Sequence, residues 1–260
     1  MYEAVTCQSH KMDDKYSELF KTRPQDVIGK KVRLEALEAS RHLNTIFEIT
    51  SGDAYGDSKS FDPEEIWGFL PDGPFRNKEE MRTSFVFQRK IDEAAFAIVD
   101  NVTDKVIGAV ILNNDNPEYL SIQMEPPIMR PNVDGSQEQV EACFLLLDKL
   151  FALGYRRIQM SVDAQNGPAR KLALRLGFTM EGTLYKHTII KEASVDSAVY
   201  GLLNSDWDRG ARFALFKKLH GDKAARADLQ MKKKEEETDE QNRVLAEKKA
   251  RELMEKDKDA

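Results

Sequence analysis

Residues 134–178, DGSQEQVEACFLLLDKLFALGYRRIQMSVDAQNGPARKLALRLGF, hold this chain to a short list of folds. The run reads as loop, helix, strand, loop, helix. Ser136 with Gln139 three residues on is a capping-box start. Val140, Cys143, Phe144, Leu147, Leu150 and Phe151 then recur at helical spacing and give one apolar face. Gly154 is the stop, as the residue best able to take the left-handed turn beyond a helix. Arg157 to Val162 alternates as a strand does. Asn166-Gly167-Pro168 opens a second helix with Pro168 near its first position, and Gly177 closes it. Strands alternating with helices at this spacing belong to an α/β domain.

Two helix starts in one short unit leave backbone N–H groups without helical partners, with the helix dipole behind them. Asp134-Gly135-Ser136 is the more telling of the two. Gly135 lets a ligand approach the backbone, and Ser136 offers both a cap and a hydroxyl. The same residues also describe an ordinary capped helix, and the pattern by itself leaves both readings open.

The 260 residues suffice for one good core and an appendage. Hydrophobic content is 41%, low enough to place a solvated segment somewhere, and the net charge of −6 speaks against a general nucleic-acid or anionic-membrane binder. Two cysteines, Cys7 and Cys143, make no disulfide framework and fit a reducing compartment. Cys143 on an apolar helix face reads as a small core residue. No apolar run approaches a membrane span, and the first twenty residues lack a hydrophobic signal region. The expectation is a cytoplasmic protein.

Along the chain, residues 1–29 read as an arm, with a short helix around Tyr16 to Phe20. Lys31 to Leu37 is a first strand and Glu38 to Thr50 a helix. Asp62-Pro63 opens a helix with Ile66, Trp67 and Leu70, and Asn77 caps one running through Phe85 and Phe87. Ala94 to Val99 and Val106 to Asn113 form a hairpin, and Tyr119 to Met124 is a third strand. Pro126 and Pro127 force that strand to end, bulge or splay, because proline cannot donate to a ladder. Met180 to Lys191 and Val195 to Leu203 make a final hairpin. Ser205 and Asp208 form another capping-box pair before a helix through Phe213, Phe216 and Leu219. Residues 221–260 hold 11 Lys/Arg, 12 Asp/Glu and no aromatic residue, and no apolar residue lies between Met231 and Val244. That composition predicts a solvated tail, partly helical or disordered, with no heptad seam.

The long run resembles the GNAT superfamily of acetyl-CoA-dependent N-acyltransferases, most closely its RimL-like branch. The resemblance rests on Glu141-Ala142, Phe151, Leu153-Gly154-Tyr155-Arg156-Arg157, Asn166, Pro168, Leu176-Gly177-Phe178 and Glu181-Gly182. It extends to Lys191, Asp196, Ala198 and Ser205-Asp206-Trp207. Upstream it takes in Val32-Arg33-Leu34, Trp67, Leu70-Pro71, Gly73-Pro74-Phe75 and Gly108. It covers about residues 29–210; the order and spacing of the pieces are specific where no single piece is. It implies an α/β (α+β) fold: one GNAT domain whose mixed, mostly antiparallel central sheet is splayed at the cofactor site and flanked by helices. The domains are then an arm at 1–29, the GNAT domain at 30–220 and the charged tail at 221–260.

Acyl transfer from a thioester to an amine needs a held pyrophosphate, a polarised carbonyl, a deprotonated amine and an outlet for the thiolate. The resemblance assigns the pyrophosphate to the backbone of Gly135, Ser136 and Gln137, and the pantetheine arm to Asn166. Arg170 or Lys171 is within reach of a phosphate, and a backbone N–H near Met124 or Glu125 is the oxyanion donor. Asn166 is equally readable as a helix cap. Where relatives often carry Glu on the central strand, this chain has Gln123, which cannot act as a base. Glu125, two positions on and on the same side of a regular strand, is the substitute, with His187 a second candidate. A solvated glutamate and a structural histidine are the plain alternatives. Ala169 and Ala173 stand where relatives offer a serine or a tyrosine, and basic residues are missing at Tyr185, Ala193 and Val195, so no general acid is assigned.

The expectation is an N-acetyltransferase, an acyltransferase of groups other than amino-acyl groups, with acetyl-CoA as co-substrate and no metal. Its acceptor is a primary amine of a small molecule or a peptide N-terminus. No nucleic acid or membrane partner is implied, and the assembly is a monomer or homodimer. The alternative is a catalytically degenerate GNAT domain that binds acyl-CoA as a sensor or scaffold.

Overall fold

A computed structural model describes residues 27–56, 58–234, 237–238 and 241–242. Cys7 and the helix expected at Tyr16 to Phe20 lie outside these. Contacts divide the chain into two compact units, Met1–Ala211 and Arg212–Ala260, a division that falls ahead of the boundary at 220 drawn from composition.

In the first unit the described elements run β1 (Val27–Ile28), β2 (Val32–Ala36), α1 (Ala39–Thr50), α2 (Glu64–Trp67), α3 (Lys78–Arg82), β3 (Ala94–Asp100), β4 (Val106–Asn116), β5 (Ser121–Met124), β6 (Ile128–Met129), α4 (Gln137–Ala152), β7 (Arg157–Asp163), α5 (Gly167–Arg175), β8 (Thr179–Ile190) and β9 (Ala193–Leu203). A one-turn helix α6 (Asn204–Asp206) and a π turn at Trp207–Ala211 follow. Nine strands make one sheet in the order β1-β2-β3-β4-β5-β7-β9-β8, with β6 also on β4. Every pairing is antiparallel except β5 with β7. The architecture is the mixed, mostly antiparallel, helix-flanked sheet that the sequence implied.

The parallel pair carries an opening in the sheet. Its register runs Ser121↔Arg157, Ile122↔Ile158 and Gln123↔Gln159, and there it stops. Beyond Met124 come Pro126 and Pro127, and the chain resumes as β6 on β4 alone, with Ala109↔Ile128 and Gly108↔Met129. The prolines remove the N–H groups that would have continued the ladder toward β7, so the two strands part. Strand β7 alternates buried and half-buried residues along its length. Its even residues, with Ile158 and Met160 wholly buried, face the core; Gln159 and Ser161 face the opening.

A hydrophobic cluster closes the other half of the unit. Leu43, Ile46 and Ile49 of α1, Trp67, Met81 and Val86 pack with Ala95, Ala109, Ile111 and Ile128 of the sheet. Trp67 meets Phe75 edge-on at 4.8 Å and its indole N–H donates to the Thr50 carbonyl at 3.0 Å. Large side chains buried this fully each contribute about 1.5–3 kcal/mol, so α1, α2 and α3 are fixed over strands β3 and β4. Glu141 pins the far edge. Its buried carboxylate accepts from the backbone N–H groups of Lys30, Lys31 and Val32 at 3.0, 2.8 and 3.2 Å. The glutamate of the family-like Glu141-Ala142 pair is therefore a structural acid that ties the β1–β2 turn to α4.

Three local expectations are corrected. The helix capped by Asn77 ends at Arg82 and does not reach Phe85 or Phe87, because Thr83 and Ser84 bond their own hydroxyls back to the preceding carbonyls. Tyr119 and Leu120 precede the third strand: Leu120 has φ +50° and turns the chain into it. Ser205 caps nothing, since its N–H is held by the Asn204 side chain and its carbonyl takes the Arg209 Nε–H.

In the second unit α7 (Arg212–His220) is followed by helical backbone over 222–234. Within it Arg212 pairs with Asp228, and Asp222 pairs with both Lys217 and Arg226, at 2.7 and 2.9 Å. No helix among the described residues is long and apolar enough to cross a membrane.

Candidate active site

The gap between β5 and β7 opens into a cavity of about 1060 Å³, and three groups of residues converge on it. The first is the loop into α4. Ser136 Oγ accepts the Gln139 N–H at 3.1 Å, which is the predicted cap. Gln139, itself buried, closes the loop from inside: its Oε1 takes the Gly135 N–H at 2.8 Å and its Nε2 donates to Asp134 Oδ1 at 2.6 Å. Gly135 has φ +74° and a side chain there would meet nothing within 4 Å, so the loop presents bare backbone to open space.

The second group is the start of α5. Asn166 Oδ1 accepts the Ala169 N–H at 3.0 Å and caps the helix, leaving its amide Nδ2 toward the cavity it lines. Gly177 (φ +95°) ends the helix, and Phe178 drops into the core.

The third group sits on β5. Glu125 Oε1 receives Asn113 Nδ2 at 2.9 Å and Gln123 Nε2 at 2.6 Å. Gln123 Oε1 in turn takes Asn114 Nδ2 at 3.3 Å and Gln159 Nε2 at 3.4 Å, across the last pair before the strands part. Part of Glu125 faces the cavity, while its carboxyl lies among neutral amides with no cation against it. Burial raises its pKa above the ordinary glutamate value, and the two amide donors only partly oppose that.

No family model matches the chain, and a search of curated proteins finds no match. Solved structures do match. A GCN5-related N-acetyltransferase from Brucella melitensis is 28% identical with a TM-score of 0.69, over 76% of this chain and 87% of that one. A probable GNAT-family acetyltransferase from Chromobacterium violaceum is 28% identical with a TM-score of 0.63, over 70% and 88%. RimJ from Mycobacterium smegmatis, solved with CoA-disulfide, shares the fold at 17% identity and a TM-score of 0.60, over 75% and 95%. The fold is the GNAT fold.

On this GNAT frame the predicted residues separate. Glu125, Asn166 and His187 line one cavity, with Asp134 and Gln139 beside them, while Gly135, Ser136 and Gln137 are not among its lining residues. His187 stands on exposed β8 with Nδ1 2.9 Å from Ser197 Oγ. Three assignments change. The N–H groups of Gly135 and Ser136 are already bonded, to Gln139 Oε1 and to the Val133 carbonyl at 3.1 Å, which leaves the Gln137 N–H as the free donor of the three. The Glu125 N–H is likewise taken by the Ile111 carbonyl at 2.9 Å, Met124 lies in the ladder with its side chain in the core, and no backbone N–H of this strand is shown free for an oxyanion. Arg170 turns away from the phosphate end, with Nε on the buried Tyr200 hydroxyl at 3.2 Å and NH1 on the Ala164 carbonyl at 3.0 Å. Lys171 is exposed and outside the cavity lining.

The sequence reading missed four participants. Arg175 NH1 donates to the Gly135 carbonyl at 2.5 Å and is the cation that stands at the loop. Gln139 shapes that loop, and only its capping role was readable. Asn113 and Gln159 complete the Glu125 network from neighbouring strands, a placement that depends on register. Cys143 is a buried core residue whose thiol burial pushes up to about 12, so it offers no nucleophile.

Proposed function

We propose that this chain is an acetyl-CoA-dependent N-acetyltransferase of the RimL-like branch, moving an acetyl group to a primary amine of a small molecule or a peptide N-terminus. The observation that carries the reading is Glu125, a deeply set carboxylate at the point where β5 leaves β7, in one cavity with the α4 start and Asn166. The 28% identical acetyltransferases and the CoA-bound RimJ structure support the co-substrate. The residues present fit it: open backbone at Gly135, a free Gln137 N–H at the start of the 16-residue α4, Arg175 beside the loop and a spare Asn166 amide.

Acetyl-CoA supplies the thioester. The chain's part is to take the proton. An acceptor ammonium gives one proton to Glu125, directly or through water, and the freed nitrogen attacks the thioester carbonyl. The C–N bond forms, the C–S bond breaks, the new amide nitrogen gives its second proton to solvent, and the thiolate takes one from solvent. A raised pKa suits a base working near neutral pH, because the proton it accepts is held more firmly. Filling the cavity with co-substrate removes more water and raises it further. His187 is retained as a second proton acceptor on the opposite wall.

Two measurements test the proposal together: the melting temperature with CoA, and thiol release from acetyl-CoA across an amine panel. CoA raises the melting temperature because it binds the native state alone. A shift without release on any amine would leave an acyl-CoA-binding scaffold, and no shift at saturating CoA would end both readings.

A further inference from the structure

The cavity's charge is one-sided. Its charged lining residues are Glu65, Asp134, Glu125, Asp163 and Glu181, and neither a lysine nor an arginine is among them. Four of the five acids accept hydrogen bonds from the protein, and among the described residues Glu181 alone of them is met by a cation. Glu181 is held by both Arg157 nitrogens, at 2.6 and 2.5 Å, Asp134 accepts Gln139 Nε2, and Asp163 accepts the Gln165 N–H at 2.7 Å. Two glutamates and an apolar wall carry the inference. Glu125, where β5 leaves β7, has only neutral amide donors on one oxygen. Glu65 is exposed at the mouth, and no side-chain hydrogen bond or ion pair holds its carboxylate among the described residues. The basic group that reaches this wall, Lys191, is spent on Glu64 at 3.2 Å and on the Trp67 carbonyl at 3.0 Å. Ile66, Phe69 and Leu70, on the same segment as Glu65, give the wall an apolar surface.

Resting on the acetyltransferase reading, we infer that the acceptor is an aliphatic amine with a second positive charge and no carboxylate beside the reacting nitrogen. One ammonium goes to Glu125 and loses its proton there. The methylene chain lies along Ile66, Phe69 and Leu70, and the second ammonium stays charged against Glu65. An α-amino acid brings a carboxylate next to its reacting nitrogen, beside Glu125, and neither a lysine nor an arginine lines the cavity to receive it. Like charges in a poorly solvated site repel strongly. A neutral peptide N-terminus avoids that repulsion but leaves Glu65 without a counter-ion.

The test is a matched panel at one pH, read as kcat/KM from thiol release with acetyl-CoA. The panel holds 1,4-diaminobutane, spermidine, butylamine, norvaline and an alanyl-alanine amide. The diamine and triamine should exceed butylamine by up to about fivefold, the worth of one exposed ion pair. Butylamine should exceed norvaline, which differs from it by one carboxylate on the carbon that bears the nitrogen, by at least about tenfold, because that charge is set beside the Glu125 carboxylate. In Glu65→Gln the diamine-to-butylamine ratio should fall toward one, with the CoA-induced melting shift as the check on folding. Norvaline matching butylamine, or the peptide amide matching the diamine, with CoA binding intact, overturns the inference and leaves the activity standing. An unchanged ratio in Glu65→Gln removes Glu65 from acceptor binding and overturns it as well. Release on no amine of the panel overturns the acetyltransferase reading and this inference with it.

Discussion

The two ends of the cleft are built on different principles. At the phosphate end, Gly135, Ser136 and Gln139 form a loop from neighbours in sequence, held by contacts spanning three to five residues. At the proton end, Glu125 is set by Asn113 twelve residues away and linked through Gln123 to Gln159 on another strand, thirty-six residues on. One end offers backbone and the start of a long helix, which the proposed function gives to a charged ligand. The other offers one carboxylate among amides, which the same proposal gives to a proton. If both assignments hold, binding and chemistry should be separable by mutation.

The largest effect should fall at the proton end. Glu125→Gln keeps the acceptor oxygen that Asn113 and Gln123 hold but cannot take a proton. General-base catalysis contributes about 10²–10⁴-fold, so kcat should fall at least tenfold. The loss should shrink as pH approaches the amine's own pKa, where free amine needs no base. The CoA-induced melting shift should not move. His187→Gln is the control: an unchanged pH–rate profile in Glu125→Gln with a collapse in His187→Gln would transfer the role across the cavity.

The converse variant is Gly135→Val. At φ +74° a β-branched residue is strained, and its side chain enters the open space before the loop. CoA affinity measured by calorimetry should drop by about tenfold, equal to about 1.4 kcal/mol, while kcat at saturating acetyl-CoA stays within about twofold. An equal loss in kcat would mean that the two ends are coupled.

What the sequence made legible follows the same division. The capped starts of α4 and α5 and the glycine stops were readable from the residues, each fixed by a residue's own backbone preference or by a partner three positions away: Ser136 with Gln139, Asn166 with Ala169. The two prolines alone allowed an end, a bulge or a splay, and the parting of β5 from β7 was implied by the family resemblance. Asn113 could not be read, because which residue faces Glu125 depends on the β4–β5 register, and that register shifts between Asn113 and Asn116. Arg170 and Arg175 show the limit from the other side. Both lie on α5, and choosing between them needs the position of Gly135 relative to that helix, which no local spacing carries. Glu141 was readable as a family-like residue, while its job, accepting three backbone N–H groups across more than a hundred residues, was not.

That pair of arginines gives a smaller effect with opposite signatures. Arg175→Ala should weaken CoA binding a few-fold, less so at high salt, because an exposed cation at an anion site is screened. Arg170→Ala should leave CoA affinity alone and lower stability by about 1–3 kcal/mol, since it strands the buried Tyr200 hydroxyl. A CoA defect in Arg170→Ala would return the phosphate role to the residue that the sequence first suggested.

The smallest effect is also the most direct reading of the proton end, because it requires no substrate. Glu125 has a folded-state pKa raised by burial above its ordinary 4.5. A carboxyl of that kind binds its proton more tightly in the native state than in the unfolded chain. Its contribution to stability is therefore complete below pH 4.5 and is lost as pH rises through the folded value. Glu125→Gln removes that loss, so the variant should gain melting temperature over the wild type as pH is raised from 4 toward 7, at about 2–4 °C per kcal/mol for a domain of this size. One other carboxyl acts in the same direction. Asp115, beneath the Tyr155 hydroxyl at 3.1 Å and near Asp92, is raised by burial from 3.8 to about 6. Asp115→Asn should flatten the part of the curve between about pH 4 and 6, and the double variant should flatten both parts. The two sites report separately: Asp115 is a half-buried acid hydrogen-bonded to Tyr155, outside the cavity lining, while Glu125 is the base of the proposed reaction. If Glu125→Gln tracks the wild type at every pH, the carboxyl is as well solvated as a surface glutamate, and nothing then distinguishes the proton end as a place for chemistry.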